Sequence, residues 1–466
     1  MKLITNCRAC GSTALTTAFS IAASYDASAR AGRKKRAATR FQDARGDASS
    51  IDYVVCDATV DANACGLLQR ASADGDLADG MRPPSGAYRS TRNYLRGVAT
   101  EALELISGRD CAAIDIGCCD GTLLSYYPRW VERHGVDAAS STESVGAWAT
   151  TIRTPFPSRE TEEAFRGRTF DIVTAVSVLE DLAEPRQFLT SAKSLMSSDG
   201  VLVVETLYAP MLLTRASAEP VFERRAAVYS LAALERLFRD CGLKIFRGIL
   251  TDKDGGSIRL FAAHEGFDDY DFDPWYDRLA SLWDEENALA LRLAAPYQAF
   301  EHRIAVARAA FEATMAEIAQ GGEVAHLVGA GPAAAELYAW AGASRGMIEA
   351  AIAHFDPGPD DRLCPGGPPI ISEAEAQALE PDCLIAPVAY KRDMLERWRE
   401  PILRGARMAF AGPRPHVVTS ANYAAEFGKT LAGGDGSGGP ETLRSILSAV
   451  GGPQIVLDGG KVAAGS

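Results

Sequence analysis

The stretch that most constrains this chain runs from Ala112 to Leu124. Its apolar beginning, Ala112–Ile116, is typical of a buried strand, and Asp115 lies near the carboxyl end of that strand. The turn that follows contains Gly117 and Gly121, which have no Cβ and let a ligand approach the backbone. The sequence then favours a helix. Because open α/β sheets bind ligands at the carboxyl ends of their strands, this turn is predicted to face the functional site.

Alternating strands and helices surround this turn and predict an α/β domain over residues 85–265. The helical spacing of Leu231–Asp240, with Gly242 as a C-cap, and a closing strand at Ile258–Ala263 end the domain. Other apolar runs separated by helix-length segments are typical of buried parallel strands, namely Ala112–Ile116, Ile172–Val176 and Val201–Glu205.

The second half of the chain repeats this pattern on a smaller scale. An acidic and aromatic segment, 267–275, is interpreted as a linker, and a long helix is predicted from about Pro296 to Gln320. A second strand-turn-helix begins at Val324 and is followed by apolar runs typical of strands. These features predict a linker helix and a second Rossmann-like domain over residues 266–428. Residues 429–466 are rich in glycine and serine and are predicted to form a flexible tail.

Four cysteines predict a small zinc-binding domain over residues 1–84. Cys7 and Cys10 form a Cys-x-x-Cys pair, and Cys56 and Cys65 form a second, wider pair. Four thiolates complete a tetrahedral zinc site, which stabilises a domain with little core of its own. Since all four positions would be sulfur, Zn²⁺ is expected to be structural. Four unrelated buried thiols are the alternative interpretation.

The composition excludes several classes of partner. A net charge of −13 argues against a polyanion, so the basic run Arg33–Arg36 is interpreted as a solvated loop rather than a nucleic-acid contact. No apolar run reaches the roughly 20 residues of a transmembrane helix, so no membrane partner is expected. The amino terminus lacks a signal-peptide pattern, which favours a cytoplasmic location. The chain is expected to act as a monomer or weak oligomer.

Several side chains near the predicted turn are candidates for binding the cofactor. Asp137 follows the next strand and is placed to accept hydrogen bonds from ribose hydroxyls. Asp120 stands where a phosphate-binding turn would need a glycine, which favours a ligand with a positive centre, S-adenosylmethionine, over a nicotinamide dinucleotide. The candidate cofactor-binding residues are Asp115, Gly117, Asp120, Gly121, Asp137 and Ser177.

Many short motifs, in one order along the chain, resemble a known family. They are Cys7-Arg-Ala-Cys-Gly-Ser12, Ala64-Cys-Gly-Leu-Leu-Gln69, Tyr88-Arg-Ser90 with Asn93, Asp120-Gly-Thr-Leu-Leu124, Pro210-Met-Leu-Leu213, Tyr229-Ser-Leu231, Gly255-Gly-Ser-Ile-Arg259 and Pro369-Ile-Ile-Ser-Glu373. The sequence resembles the class I methyltransferases, and within them the sugar C-methyltransferases of deoxysugar biosynthesis. The resemblance reaches to about residue 425.

This resemblance implies an α/β protein of three parts. A Rossmann-like class I methyltransferase domain would be flanked by a small zinc-binding N-terminal domain and a second Rossmann-like C-terminal domain. The implied reaction is methyl transfer from S-adenosylmethionine to carbon 3 of a nucleotide-linked 4-keto deoxysugar, a small-molecule acceptor. It also places Tyr88 near that acceptor, and Tyr229 is a further candidate for the same cleft.

The chain departs from the family at the implied base. The family carries a His-Glu-His run where this chain has Glu223-Arg224-Arg225, and the flanks from Pro210 to Leu231 align without a gap. Glu223 is a candidate base, with Arg224 or Arg225 holding an enolate, although an arginine neighbour would lower the pKa of the carboxyl. The other interpretations are an amine or acidic hydroxyl acceptor, a protein that binds the cofactor without catalysis, and a merely solvated loop.

A second departure lies in the predicted C-terminal domain. The family carries a lysine in the turn where this chain reads Gly329-Ala-Gly-Pro332, which leaves the acceptor open. The pattern also fits the dinucleotide motif Gly-x-Gly-x-x-Ala, with Asp356 further along the chain. Nicotinamide binding and simple packing of a helix against its strand are therefore both considered.

Overall fold

A computed structural model describes most of the chain. The described residues are 3–22, 50–72, 85–86, 89–106, 110–139, 142, 145–146, 148–215, 217–251, 253–353, 357–364, 366–388, 391–412 and 415–428. Tyr88, Arg33–Arg36, Asp356 and the predicted tail 429–466 lie outside these ranges.

A small antiparallel sheet carries the amino-terminal residues. Its first three strands are β1 (Leu15–Ala22), β2 (Ser50–Cys56) and β3 (Leu68–Arg70). The fourth strand comes from far along the chain, since Leu68 and Gln69 of β3 pair with residues 227–228. The sheet therefore joins the amino-terminal segment to the segment that follows Glu223.

The central sheet has seven strands. Residues 85–265 form α1 (Arg89–Leu103), β4 (Ala112–Ile116), α2 (Thr122–Ser125), β5 (Glu132–Val136), β6 (Thr150–Ile152), α3 (Arg159–Ala164), β7 (Phe170–Val176), α4 (Pro185–Ser194), β8 (Met196–Leu207), α5 (Ala209–Arg215), α6 (Glu219–Phe222), β9 (Ala227–Val228), α7 (Leu231–Asp240), β10 (Leu243–Thr251) and β11 (Ser257–His264). The sheet order is β10-β11-β8-β7-β4-β5-β6, and β9 belongs to the small sheet instead.

Hydrophobic packing covers both faces of the central sheet. Strands β8, β7, β4, β5 and β6 are parallel, whereas β11 pairs antiparallel with both β8 and β10. Along β4, Ile114 and Ile116 pack into one core layer and Ala113 into the opposite one, as the two-residue period of a strand requires. The predicted strand Ala112–Ile116 and helix Leu231–Asp240 are confirmed.

The carboxyl-terminal part builds a second, mainly parallel sheet. Its elements are α8 (Asp273–Ala288), α9 (Ala295–Gln320), β12 (Ala325–Val328), α10 (Pro332–Trp340), β13 (Ile348–Ala353), β14 (Ile370–Ser372), α11 (Glu373–Leu379), β15 (Cys383–Ala386), α12 (Lys391–Arg397), α13 (Arg399–Arg404), β16 (Arg407–Phe410), β17 (His416–Val418) and α14 (Tyr423–Gly428). The strand order is β14-β13-β12-β15-β16-β17, with only β17 antiparallel among these strands.

Helix α9 packs between the small amino-terminal sheet and the carboxyl-terminal sheet. Its buried side chains recur every three or four residues, which gives one apolar stripe. The stripe belongs to a single core that also contains Phe19 and Tyr53 of the small sheet and Leu327 of the carboxyl-terminal sheet. Among the helices in the described ranges, none is both long enough and apolar enough to cross a membrane.

Candidate functional site

The turn after β4 takes a conformation that only glycine adopts easily at two positions. Gly117 and Gly121 have φ angles of 83° and 74°. A Cβ on Gly117 would lie 2.6 Å from Cγ2 of Val178, and a Cβ on Gly121 would lie 2.8 Å from Cγ2 of Val145. Glycine is therefore required at both positions, by the left-handed backbone and by the close approach of Val178 and Val145.

Asp115 lies beneath this turn and is almost fully buried. The hydroxyl of Thr174, on the neighbouring strand β7, donates to its Oδ1 at 2.6 Å. Burial is the main reason that the pKa of Asp115 rises to about 7, and the nearby Asp137 adds to the rise. Asp115 therefore supports the turn from inside the sheet.

The other two acidic candidates hold the turn through backbone amides. Asp137, directly after β5, accepts hydrogen bonds from the N–H of Cys119 at 2.9 Å and of Ala139 at 2.7 Å. Asp120 accepts from the N–H of Gly86 at 2.9 Å and from the hydroxyl of Thr122 at 2.7 Å. Both carboxylates shape the turn at the edge where a cofactor would lie, and their contacts with a cofactor stay a prediction.

Ser177 follows β7 at the same edge of the sheet. Its φ of 55° is unfavourable for a residue with a Cβ. Its hydrogen-bond partner Asp254 has a similarly unfavourable φ of 50°. The Ser177 hydroxyl donates to Oδ2 of Asp254 at 3.1 Å, and the ammonium of Lys253 lies 2.9 Å from Oδ1 of Asp254. The loop between β10 and β11 thus reaches the carboxyl end of β7.

Arg225 joins two carboxylates, one of which lies in the segment after β7. Its Nη1 lies 2.7 Å from Oδ2 of Asp181, in the short 3₁₀-helix Leu179–Asp181 after β7, and its Nη2 lies 2.7 Å from Oε2 of Glu223. The Arg225 side chain is 8% exposed, whereas those of Asp181 and Glu223 are 22% and 25% exposed. The two carboxylates can therefore be reached from outside while the guanidinium is held between them.

Two tyrosines were candidates for the acceptor cleft. Tyr229 is fully buried, and its hydroxyl donates to the carbonyl of Leu179 at 3.2 Å. Burial raises the pKa of this phenol well above its ordinary value. In this position Tyr229 supports the 3₁₀-helix that carries Asp181. Tyr88 lies outside the described residues, so its role stays a prediction.

The four cysteines near the amino terminus meet at one point. Their sulfur atoms all lie within 4.8 Å of one another. The Sγ atoms of Cys7 and Cys65 are 3.5 Å apart, and so are those of Cys10 and Cys56. Ligands of a tetrahedral zinc ion with Zn–S bonds of about 2.3 Å show sulfur spacings of this kind. The donor set therefore fits a structural metal.

The turn in the carboxyl-terminal domain leads into helix α10. Gly329 has a φ of 105°, and a Cβ there would lie 3.4 Å from the Cβ of Ala334 on α10. Pro332 occupies the first position of that helix, where the lost N–H does no harm. The positive φ explains the glycine at position 329, whereas a Cβ on Gly331 would meet nothing within 4 Å. Asp356 lies outside the described residues, so nicotinamide binding and simple packing both stay predictions.

Sequence reasoning missed some residues of the site. Asp181 lies in the segment after β7, but its pairing with Arg225 spans 44 residues. Asp254 precedes the quoted Gly255-Gly-Ser-Ile-Arg259 motif, and no signal connected it with Ser177. Tyr53 lies in the middle of β2, yet its hydroxyl donates to the carbonyl of Arg225 at 2.5 Å.

Comparison with known proteins identifies the two larger units. Residues 86–247 match the family model described as a methyltransferase domain, and residues 252–413 match the C-methyltransferase C-terminal domain. The C-methyltransferase NovU of Streptomyces niveus is 24% identical over 348 residues, covering 70% of this chain and 82% of that protein.

Two similar solved structures each cover less than half of the chain. Magnesium protoporphyrin IX methyltransferase from Synechocystis, with bound S-adenosylhomocysteine, is 18% identical, has a TM-score of 0.31 and covers 38% of this chain and 83% of that one. A Haloferax volcanii complex between the Trm112 methyltransferase activator and a methyltransferase gives 12% identity, a TM-score of 0.32 and coverages of 37% and 90%. The two successive sequence matches show an S-adenosylmethionine-dependent methyltransferase with a C-methyltransferase C-terminal domain, distantly related to NovU.

Proposed function

We propose that the protein transfers a methyl group from S-adenosylmethionine to a carbon atom next to the ketone of a nucleotide-linked keto-deoxysugar. The observation that carries this proposal is the Asp181–Arg225–Glu223 arrangement, whose Asp181 lies in the segment directly after β7. It combines a buried cation with two accessible carboxylates at the edge of the sheet where the cofactor is expected. Such a set suits a reaction in which a proton leaves a carbon and negative charge develops on an oxygen.

The reaction needs a base and a group that stabilises the enolate. In this proposal a Glu223 carboxylate oxygen takes the proton from the carbon next to the ketone, and the C–H electron pair becomes part of the enolate. Arg225, fixed between two carboxylates, places its positive charge beside the developing oxyanion. S-adenosylmethionine supplies an electrophilic methyl group, which forms a bond to the enolate carbon as its bond to sulfur breaks.

The arginine also limits Glu223 as a base. A carboxylate that is ion-paired binds a proton weakly, so proton removal depends on strong stabilisation of the enolate. Arg225 is well suited to that task because its guanidinium is buried, and charge interactions are stronger away from water. With Glu223 in place of a histidine base, the rate depends less on the strength of the base and more on stabilisation of the developing oxyanion.

Two measurements test this function in order. Calorimetry with S-adenosylmethionine and S-adenosylhomocysteine should show binding, and absence of binding to metal-replete protein would remove the cofactor from the proposal. Incubation with S-adenosylmethionine and a set of thymidine-diphosphate-linked 4-keto deoxyhexoses should then give a product heavier by one methylene. Nuclear magnetic resonance should place the new methyl group on carbon 3.

A second candidate function rests on the run Glu223-Arg224-Arg225, which stands where the family has His-Glu-His. Since a histidine base is missing from the segment 219–231, an acceptor that needs little proton removal, such as an amine or an acidic hydroxyl, is the alternative. An amino-deoxysugar linked to the same nucleotide would distinguish the two. Methylation of its nitrogen, with no product from the keto sugars, would favour N-methylation; cofactor binding without any product would favour a non-catalytic protein.

We also propose that Cys7, Cys10, Cys56 and Cys65 hold one structural zinc ion. Three of these residues are buried and Cys10 is partly buried. Four sulfur ligands would leave no coordination position for a substrate, so the metal is assigned to folding and not to methyl transfer.

A further inference from the structure

The segment around Arg225 is held from outside the methyltransferase sheet. The backbone carbonyl of Arg225 accepts a hydrogen bond from the hydroxyl of Tyr53, on β2, at 2.5 Å. The next residue, Ala226, accepts from the N–H of Arg70 at 2.9 Å. Residues 227 and 228 then pair with β3 as its antiparallel neighbour. Three successive anchors therefore come from the small amino-terminal sheet.

Tyr53 makes this contact from inside the protein core. The side chain is fully buried, and its ring stacks on Phe19 with the centroids 5.1 Å apart. Burial raises the pKa of this phenol, so it stays a neutral donor at any working pH. Strand β2, which carries Tyr53, ends at Cys56 of the cysteine cluster. The Tyr53 hydroxyl therefore lies on a strand whose end belongs to the cysteine cluster.

The neighbouring residue shows that this segment is under conformational constraint. Arg224 has a φ of 57°, which costs free energy for a residue with a Cβ. This conformation belongs to the cap of α6, in which the N–H groups of Arg224 and Arg225 donate to the carbonyls of Val221 and Pro220 at 2.9 and 3.3 Å. The cap therefore holds the N–H side of Arg225, and Tyr53 holds its carbonyl. The anchors on either side of the Arg225 carbonyl therefore bear on where the guanidinium lies between Asp181 and Glu223.

We infer that Tyr53 is a positioning residue for methyl transfer: through its bond to the Arg225 carbonyl, the amino-terminal sheet sets the place of the Arg225 guanidinium. This inference rests on the proposed function of Arg225. By this inference the cysteine-bearing domain contributes to catalysis as well as to the stability of the fold. Tyr53 itself touches neither acceptor nor cofactor and acts only through Arg225.

The test compares Tyr53→Phe with Tyr297→Phe in the full-length protein. Tyr297 is a matched control, because it is also fully buried and its hydroxyl also donates to a backbone carbonyl, that of Leu291, at 3.0 Å. Both changes remove one hydroxyl and keep the ring. Amide hydrogen exchange of a peptide spanning 223–229, read by mass spectrometry, should rise about tenfold in Tyr53→Phe and not in Tyr297→Phe, since one buried hydrogen bond is lost at that segment.

Kinetics with the keto-sugar set supply the second readout. The kcat of Tyr53→Phe should fall about tenfold, while the KM for S-adenosylmethionine stays at the wild-type value, because a shifted guanidinium weakens an interaction made in the transition state. Unchanged exchange at 223–229 would overturn the inference, and so would raised exchange with unchanged kcat. If the wild type methylates no acceptor, raised exchange still supports the anchoring while the proposed function fails, so the two failures are distinguishable.

Discussion

Arg225 shows how much the chemistry of one residue depends on its neighbours. On a surface, two arginine–carboxylate pairs would contribute little, because water screens them. Here the guanidinium is buried between Asp181 and Glu223, so its charge is fixed in place. The same arrangement makes Glu223 the carboxylate whose removal is most informative.

Glu223→Gln should lower turnover of a keto-sugar acceptor by about 100-fold or more, the usual contribution of a general base. Cofactor affinity should stay unchanged, since Arg225 keeps its pair with Asp181. Kinetics together with calorimetry measure both effects. Glu163→Gln is the control, because Glu163 also pairs with an arginine, Arg159, at 2.8 Å, but on an exposed helix. Equal turnover in wild type and Glu223→Gln would remove Glu223 from the mechanism.

Asp115 predicts a dependence of stability on pH. Its carboxyl has a pKa of about 7 in the folded chain against an ordinary value of 3.8. Between about pH 4 and 7 the folded chain therefore keeps a proton on Asp115 that the unfolded chain has lost. The contribution of this proton to the free energy of unfolding is complete below this range and falls as the pH rises through it. Three pKa units correspond to roughly 4 kcal/mol.

Thermal melting at pH 5 and pH 8 checks this expectation. The melting temperature of the wild type should be lower at pH 8, and Asp115→Asn should reduce the difference, because an amide does not titrate yet still accepts from Thr174. The same pH dependence in both proteins would show that Asp115 does not cause it.

At the scale of elements, the regular strands and helices were the predictable part. The pattern of apolar residues identified β4 and α7 with their observed bounds, because β4 is an apolar run buried on both faces of the sheet and α7 buries one periodic face. Strand β9 escaped prediction, since two residues, Ala227 and Val228, carry no period of their own. Its partner β3 lies more than 150 residues earlier, and only the tertiary fold brings the two together.

The cysteine cluster belongs to the same scale, because it connects the ends of strands. Purified protein should contain about one zinc ion per chain, and Cys10→Ser should lose the metal and melt at a lower temperature, since metal binding contributes to folding. Elemental analysis and thermal melting measure these effects. Cys241→Ser is the control, because Cys241 is also partly buried but lies outside the cluster. A folded, metal-free wild type would refute the zinc site.

At the scale of the molecule, the segment from Glu219 to Tyr229 contacts every major part of the described fold. Tyr53 and β3 hold it from the amino-terminal sheet. Asp181 holds it from the methyltransferase sheet, and Phe222 packs edge-on against Trp340 of the carboxyl-terminal domain, with the ring centroids 5.3 Å apart. The sequence alone indicated that this segment had diverged from the family. It did not indicate this meeting point, since the contacts span up to 172 residues.

Substitution of Glu219 tests the contact between this segment and the carboxyl-terminal domain. Its buried carboxylate accepts from the N–H of Val388, beyond β15, at 2.9 Å and from the hydroxyl of Ser217 at 2.8 Å. Glu219→Ala leaves the Val388 N–H without this acceptor and should cost about 1–3 kcal/mol.

Amide exchange and turnover together show whether Glu219 connects the two domains or affects only its own surroundings. If Glu219 couples the methyltransferase and carboxyl-terminal domains, amide exchange in Glu219→Ala should rise both at 219–229 and around Val388, and turnover should fall with the loosened Arg225. Glu219→Gln, whose side-chain oxygen can still accept from Val388, should restore most of the protection. A rise confined to one side would mean that the segment is held by the other anchors alone and that the carboxyl-terminal domain does not help to place Arg225.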